Sequence, residues 1–233
     1  MTTLREILEK KSTGKSIWFM RQAGRYLPEF RDIRKKNPDF IKLCLNSELS
    51  SEITLHPIKR FNLDSAIIFS DILIVPYSLG QNVKFIKKSG PELSNFNIEC
   101  FLDVTENQFL KTLSPVYKSI EITRKKLDKK KSLISFIGAP WTLLIYMLNI
   151  KKGNNKEIDI LKLKKEKTTI NKILKKIIIF LCAHIKNQID AGADIVQIFD
   201  SWAGLVPIED INEYCYIPNS KIVDFCKKEK IPN

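Results

Sequence analysis

WFMRQAGRYLPEF, residues 18–30, changes character at its centre. The apolar run Ile17, Trp18, Phe19 and Met20 predicts a buried strand over residues 16–20, which breaks abruptly into Arg21, Gln22, Ala23, Gly24 and Arg25. Two arginines four apart, with small residues between them, predict a loop whose planar guanidinium forks can each grip a carboxylate through paired hydrogen bonds. Arg21 and Arg25 read equally well as ordinary surface arginines. Pro28 suits the first turn of a helix, where its missing N–H leaves no bond unmade.

Outward from this stretch the chain alternates. A helix over residues 3–10 precedes it, and helices follow over 28–36 and from Asn46-Ser47 to Arg60-Phe61, with Asn62 placed as a left-handed C-cap. Ala66-Ile67-Ile68-Phe69 is a continuous apolar run of the kind shown by a parallel strand covered on both faces, and it ends at Ser70-Asp71. Residues 80–104 read as an irregular excursion with a hairpin around Ser89-Gly90-Pro91, and Ser114-Pro115 opens a helix to about Lys129. A third strand, Leu133 to Ile137, ends at Gly138 and feeds a helix over 140–149, with the polar loop KKGNNKE beyond it. Ile170, Ile173, Leu174, Ile177, Ile178, Leu181, Ile185 and Ile189 recur at spacings of three and four, with lysines opposite, and predict a helix over 168–191 that Gly192 stops. Asp194 to Phe199 is a fourth strand, ending at Asp200-Ser201, and a last helix covers about 208–229.

Short buried strands alternating with helices predict an α/β fold with a parallel sheet, in a single domain over residues 1–233. The candidate groups each follow a strand: Arg21 and Arg25 the first, Asp71 the second, Tyr146 the third, Ser201 the fourth. In a (β/α)8 barrel that end of the strands carries the loops that build the active site. The expectation is therefore a barrel of that type, with Arg21, Arg25, Asp71, Tyr146 and Ser201 lining one cavity.

The net charge of +13 invites a nucleic-acid or membrane partner. Its distribution argues otherwise. Residues 111–186 hold eighteen Lys and one Arg against five acids, which leaves the rest of the chain close to neutral. Only seven of the 39 basic residues are Arg, and the lysines fall on the polar faces of helices, so a solvated face is expected rather than a nucleic-acid site. Five scattered cysteines without a C-x-x-C pair predict neither a zinc site nor a disulfide framework, and fit a reducing cytosol. His56 and His184 lack metal-ligand neighbours, and His184 borders an apolar helical stripe where a structural role is expected. MTTLREILEKK has no signal-peptide core. LISFIGAPWTLLIYMLNI, residues 133–150, is uncharged and long enough to span a membrane, but Gly138, Ala139 and Pro140 divide it into a buried strand and a buried helix. A cytoplasmic protein with no metal, no membrane and no nucleic-acid partner is expected.

FMRQAGRYLPEF (19–30), IIFSDILIVP (67–76), GAPWTLLIYM (138–147) and IFDSWAGLVP (198–207) resemble, in order and spacing, the signatures of the uroporphyrinogen decarboxylase family. The resemblance runs from about Leu4 to the last residue; residues 92–112 match weakly, and Asn154 and Asn155 stand in what is usually a glycine-richer loop. It implies cofactor-free decarboxylation of the four acetate arms of uroporphyrinogen III to methyls, giving coproporphyrinogen III, by a homodimer. Loss of CO2 leaves a carbanion beside a pyrrole, and protonating the ring creates an iminium-like cation that takes up the electrons. By resemblance Asp71 is the carboxylate that stabilises this cation and accepts hydrogen bonds from the pyrrole N–H groups. Arg21 and Arg25, with backbone groups of Gln22, Ala23 and Gly24, would bind the substrate carboxylates, and Tyr146 and Ser201 would supply hydroxyl contacts. Each also has a plainer reading: Asp71 as a turn former, Tyr146 as a core aromatic, Ser201 as a helix cap.

The family continues through further β/α units and a binding-site histidine, so the chain is expected to be a barrel truncated after about four units. On that expectation the alternatives are a catalytically inactive half-barrel that associates through its open edges, or a relative of the cobamide-dependent methyltransferases in the same superfamily. The RQAGRY and FDSWAG strings favour the decarboxylase.

Overall fold

Ile67, Ile134 and Ile195 line up across three parallel strands, β1 (Ser65–Ile67), β4 (Ser132–Gly138) and β7 (Ile195–Phe199), with β4 in the middle. The computed structural model describes residues 3–86, 90–152, 157–158 and 160–233. The three isoleucines form a small cluster of their own on one face of the sheet, with Trp18, Phe136 and Phe199 packed around it. The opposite face belongs to the main core, which takes in Ala66, Ile68, Leu133, Ile137 and Val196 together with the apolar sides of the helices. Burial on both faces is why these strands read as unbroken apolar runs rather than alternating ones.

The helices follow from caps and periodicity. After α1 (Leu4–Leu8) come α2 (Pro28–Lys36), α3 (Phe40–Cys44) and α4 (Ser47–Arg60), the last capped by the Asn46 side chain accepting from the Leu49 N–H at 3.0 Å. A short α5 (Ile74–Ser78) follows β1, then an antiparallel pair, β2 (Val83–Ile86) and β3 (Gly90–Leu93), and α6 (Ile98–Asp103). The antiparallel pair is the hairpin expected within the excursion over 80–104, α6 adds regular structure that was not expected there, and Ser89 lies outside the described residues. Helix α7 (Glu106–Lys126) begins earlier than Ser114-Pro115, because Thr105 and Gln108 close a reciprocal capping box. Pro115 sits inside this helix and cannot donate to the Lys111 carbonyl; the Ser114 hydroxyl donates to it instead, at 2.8 Å.

Helix α8 (Pro140–Leu148) closes with Asn149 in the left-handed region at φ 49°. Asn62, expected to play that part after α4, does not adopt it; its side chain accepts from Lys131 Nζ at 3.1 Å. Lys151–Lys152 (β5) and Glu157–Ile158 (β6) pair where a plain loop was expected, while Asn154 and Asn155 lie outside the described residues. Helices α9 (Ile160–Lys165) and α10 (Lys167–Asp190) follow, and the α10 stripe from Ile170 to Ile185 is buried as its period predicts. Gly192 ends it at φ +108°. The last helix starts later than residue 208: a π turn over Asn212–Tyr216 runs into α11 (Ile217–Lys228), consistent with Pro218 having no N–H for a regular bond. No helix among the described residues is long and apolar enough to cross a membrane.

One expectation fails in an informative way. Residues 16–20 form no strand, so the described parallel sheet has three strands rather than four. The segment does run beside β1: the Asp64 N–H donates to the Ile17 carbonyl at 3.1 Å, and the Asp64 carboxylate accepts from the Ile17 N–H at 2.7 Å. A carboxylate has taken the place of a ladder carbonyl, and no repeat follows. Ile17, Phe19 and Met20 are accordingly exposed. On the far edge, the Val196 N–H donates to the Pro232 carbonyl at 3.0 Å.

Candidate active site

The C-terminal end of β1 leads into the candidate acid. Ile68 extends the pairing by donating to the Ile134 carbonyl at 2.9 Å, and the Phe69 N–H donates to Thr54 Oγ1 at 2.8 Å, which ties the strand end to α4. Asp71 then turns the chain, with Oδ1 accepting from the Leu73 N–H at 2.8 Å. The partly buried carboxyl holds its proton more tightly than usual, up to about pH 6. Burial is the larger cause, and the Leu73 N–H and the Arg21 guanidinium pull the other way.

Arg21 is exposed on the turn after residues 13–19, and Gln22 fixes that turn. The buried Gln22 side chain donates to the Ser65 carbonyl at 3.0 Å and accepts from the Phe19 N–H at 3.1 Å, while the Gln22 backbone carbonyl accepts from the Tyr26 hydroxyl. The loop is therefore pinned to β1 by a glutamine side chain rather than by strand pairing. Ala23 and Gly24 are half-buried behind it. Arg25 is exposed on the flank, close enough to Arg34 that its charge lowers that guanidinium's proton affinity, burial being the larger cause.

Tyr146, on α8, packs edge-on against Trp202 with ring centroids 5.6 Å apart. Burial raises its phenol pKa; the Trp202 side chain, hydrogen-bonded to it, lowers it, Asp71 raises it and Arg21 lowers it. Arg21, Asp71 and Tyr146 are thus within electrostatic reach of one another. Ser201 is exposed on the turn after β7, one residue from Trp202, and caps no helix, since the short 3-10 turn Ala203–Leu205 starts without a side-chain cap. Of the five, Arg21, Asp71 and Tyr146 converge, Arg25 stands towards Arg34, and Ser201 adjoins Trp202, which packs on Tyr146.

The chain matches the uroporphyrinogen decarboxylase (URO-D) family over residues 2–233. It belongs to that family. Uroporphyrinogen decarboxylases of Orientia tsutsugamushi (strain Ikeda) and Agrobacterium fabrum are 46% and 41% identical to it over 93% and 92% of the chain. The chain spans 63% and 62% of the length of those two relatives. A methyltransferase from Methanosarcina mazei superposes with a TM-score of 0.74 over 95% of this chain and 65% of its own, at 15% identity, a likeness of fold alone.

Within this family chain, three residues that sequence reasoning passed over hold the site together. Gly138, at the end of β4, lets the Asp71 turn approach: a Cβ there would lie 3.0 Å from the Ile72 Cβ and 2.9 Å from a Leu143 methyl. Asp200 accepts from Thr142 Oγ1 at 2.7 Å and from Asn219 Nδ2 at 3.1 Å. Thr142 Oγ1 in turn accepts from the Trp202 N–H at 3.1 Å, so the loop that carries Ser201 is fastened to the first turn of α8. The string GAPWTLL contains the glycine and the threonine, and only their spatial neighbours reveal what they do.

At the other end of the sheet, Asp194 accepts from Arg124 at 2.9 Å and from the Leu133 N–H at 2.8 Å. That end joins β4, β7 and α7. His184 is buried and hydrogen-bonded through Nδ1 to the Tyr117 hydroxyl at 2.9 Å, in keeping with a structural histidine, and burial lowers its pKa to about 3.

Proposed function

We propose that the site decarboxylates the acetate side chains of uroporphyrinogen III to methyl groups, giving coproporphyrinogen III, without a metal or organic cofactor. Each step takes a CH2–CO2⁻ arm and one proton to CH3 and CO2. The pyrrole is first protonated, the bond to CO2 breaks and its electron pair passes into the ring, a proton is delivered to the CH2 carbon, and the ring gives up the proton it had taken. Asp71 stabilises the pyrrole-centred cation and accepts from the pyrrole N–H groups. Arg21 and Arg25 pair with substrate carboxylates, and backbone groups of Gln22, Ala23 and Gly24 contribute at the same loop. Tyr146 and Ser201 give hydroxyl contacts.

The observation that carries this reading is the Asp71 carboxyl, pushed to about pH 6 by burial while Arg21 and Tyr146 stand within reach. Such a group is ionised at neutral pH and set in surroundings where its charge acts strongly on a nearby cation. The reading carries with it a (β/α)8 barrel closed by strands beyond this three-stranded sheet, one domain, a homodimer and a cytoplasmic setting.

The test is anaerobic conversion of uroporphyrinogen III, followed by chromatography of the oxidised porphyrins, in wild type and Asp71→Asn. Asn preserves the shape and the bond to Leu73 but removes the charge. The expected result is a loss on the order of a hundredfold or more in rate with substrate affinity largely kept; near-normal turnover of the Asn variant would overturn the proposal. A second reading, a non-catalytic sheet that associates through its edges, is favoured by one observation: Ile17, Phe19 and Met20 are 59%, 60% and 56% exposed beside β1. Concentration-dependent association of an inactive chain would support it.

A further inference from the structure

Behind Asp71, on the helix side of the sheet, lies a small, partly open cavity of about 10 Å³, on which Ser70, Asp71, His184 and Gln188 are the polar groups among seven apolar side chains. Two polar atoms at this site have no hydrogen-bond partner. Gln188 is 1% exposed and its Nε2 is unpaired, and the buried Ser70 Oγ is unpaired as well. A buried amide donor without a partner is unfavourable by more than most single contacts supply, and native interiors satisfy such groups with protein or ordered water. A cavity of about 10–15 Å³ with two to four polar partners suits one water molecule, and an apolar cavity of that size would stay dry.

We propose that Gln188 and Ser70 hold a single buried water against the Asp71 carboxylate, and that Gln188 is a positioning residue for Asp71. The donor set is suited to that arrangement. Gln188 Nε2 donates to the water oxygen, the water donates to the Asp71 oxygen that does not take the Leu73 N–H, and the Ser70 hydroxyl supplies a third contact. Tyr117 occupies Nδ1 of His184, across the cavity, so that the histidine wall is fixed and one ring nitrogen is already committed. That wall is neutral at physiological pH, because burial keeps His184 unprotonated down to about pH 3. The remaining titratable groups that act on Asp71 are Arg21, which favours its charged form, and Cys44 and Tyr146. The thiol and the phenol are both pushed up by burial and stay neutral near pH 7. Among the described residues, only Arg21 therefore brings a full charge to bear on Asp71 at neutral pH, and the water is a second stabiliser of the carboxylate. The catalytic meaning rests on the decarboxylase reading. The water site itself does not.

Two measurements on the chain test it without turnover. A high-resolution crystal structure should show one ordered water about 2.7–3.2 Å from both Gln188 Nε2 and an Asp71 carboxylate oxygen. Carbon-detected NMR titration of the Asp71 carboxyl should move upward by about one pH unit, a tenfold gain in proton affinity, in Gln188→Met, which keeps the volume and removes the donor. Ser70→Ala should move it the same way by less, and serves if the methionine variant does not fold. A dry cavity in the wild type, a water out of reach of Asp71, or a titration that stays in place in the folded variants would each overturn the proposal. An inactive chain with the expected water and titration would count against the decarboxylase reading alone.

Discussion

Replacing Asp71 by Asn should stabilise the protein at neutral pH while damaging the proposed chemistry. In the folded chain this carboxyl keeps its proton to about pH 6, against 3.8 for the unperturbed group. Between those values the folded state binds more protons than the unfolded one, so stability falls as pH rises through the window, and the full penalty is present above it. Two pH units at about 1.4 kcal/mol each give about 3 kcal/mol, an upper figure because the residue is only partly buried. Asn carries no charge to desolvate, and its carbonyl can still accept from Leu73.

His184 works in the opposite sense. Its folded pKa of about 3 lies below the unperturbed 6.5, so the stability it contributes is complete above 6.5 and drains as pH falls towards 3. Between about pH 4 and 6 the two groups oppose each other and the wild-type acid limb should be shallow. In Asp71→Asn only the histidine remains and the limb should steepen. Circular-dichroism melts from pH 3.5 to 8 should show the variant more stable by about 1–3 kcal/mol at pH 7, a rise of about 3–10 °C, with the advantage gone near pH 3.5. A variant less stable than wild type at pH 7, or one whose advantage does not change with pH, would refute the reasoning. Attraction to Arg21 would then outweigh burial.

The other expected outcomes rest on geometry. Gly138→Ala places a methyl 3.0 Å from the Ile72 Cβ, so the Asp71 turn must retreat by a few tenths of an ångström; overpacking of this kind should destabilise by about 1–3 kcal/mol and lower the Asp71 titration midpoint as water enters, and an unchanged melt with an unchanged titration would show that the turn has room. Asp194→Ala removes the acceptor shared by Arg124 and the Leu133 N–H; a loss of about 2–4 kcal/mol in urea unfolding is expected, with the Asp71 titration left in place because the change is at the opposite end of the sheet.

What was legible in the sequence divides along physical lines. Residues 66–69, 133–137 and 194–199 announced themselves because a doubly covered strand must be apolar without alternation, and Asp71, Gly138 and Asp200 mark where that requirement stops. The α10 stripe was equally open to reading, since period and burial are the same fact seen twice. The run at residues 16–20 misled for a definite reason. Apolar side chains state a demand for burial, whereas a strand is made by a backbone partner, and beside β1 the Asp64 carboxylate occupies one of the partner's places. Ser114-Pro115 misled likewise: a hydroxyl that satisfies the Lys111 carbonyl lets a proline sit within a helix it would otherwise end.

The candidate site was legible only by resemblance, and the structure explains why residue-by-residue reading stalls there. At Asp71 the two available readings are both correct. One carboxylate oxygen makes the turn with Leu73, as a structural Asp would, and the residue's burial still shifts its titration towards neutrality. Tyr146 is likewise a packed aromatic against Trp202 and a hydroxyl within the influence of Asp71 and Arg21. Gln188 is the converse, a polar residue on a helix of apolar repeat, which the period passes over and which only its unpaired donor identifies. Such a site is made by giving structural positions a second task. Mutating them should therefore change stability and titration together, which is why the Asp71→Asn and Gln188→Met variants are read by pH dependence rather than by loss of activity alone.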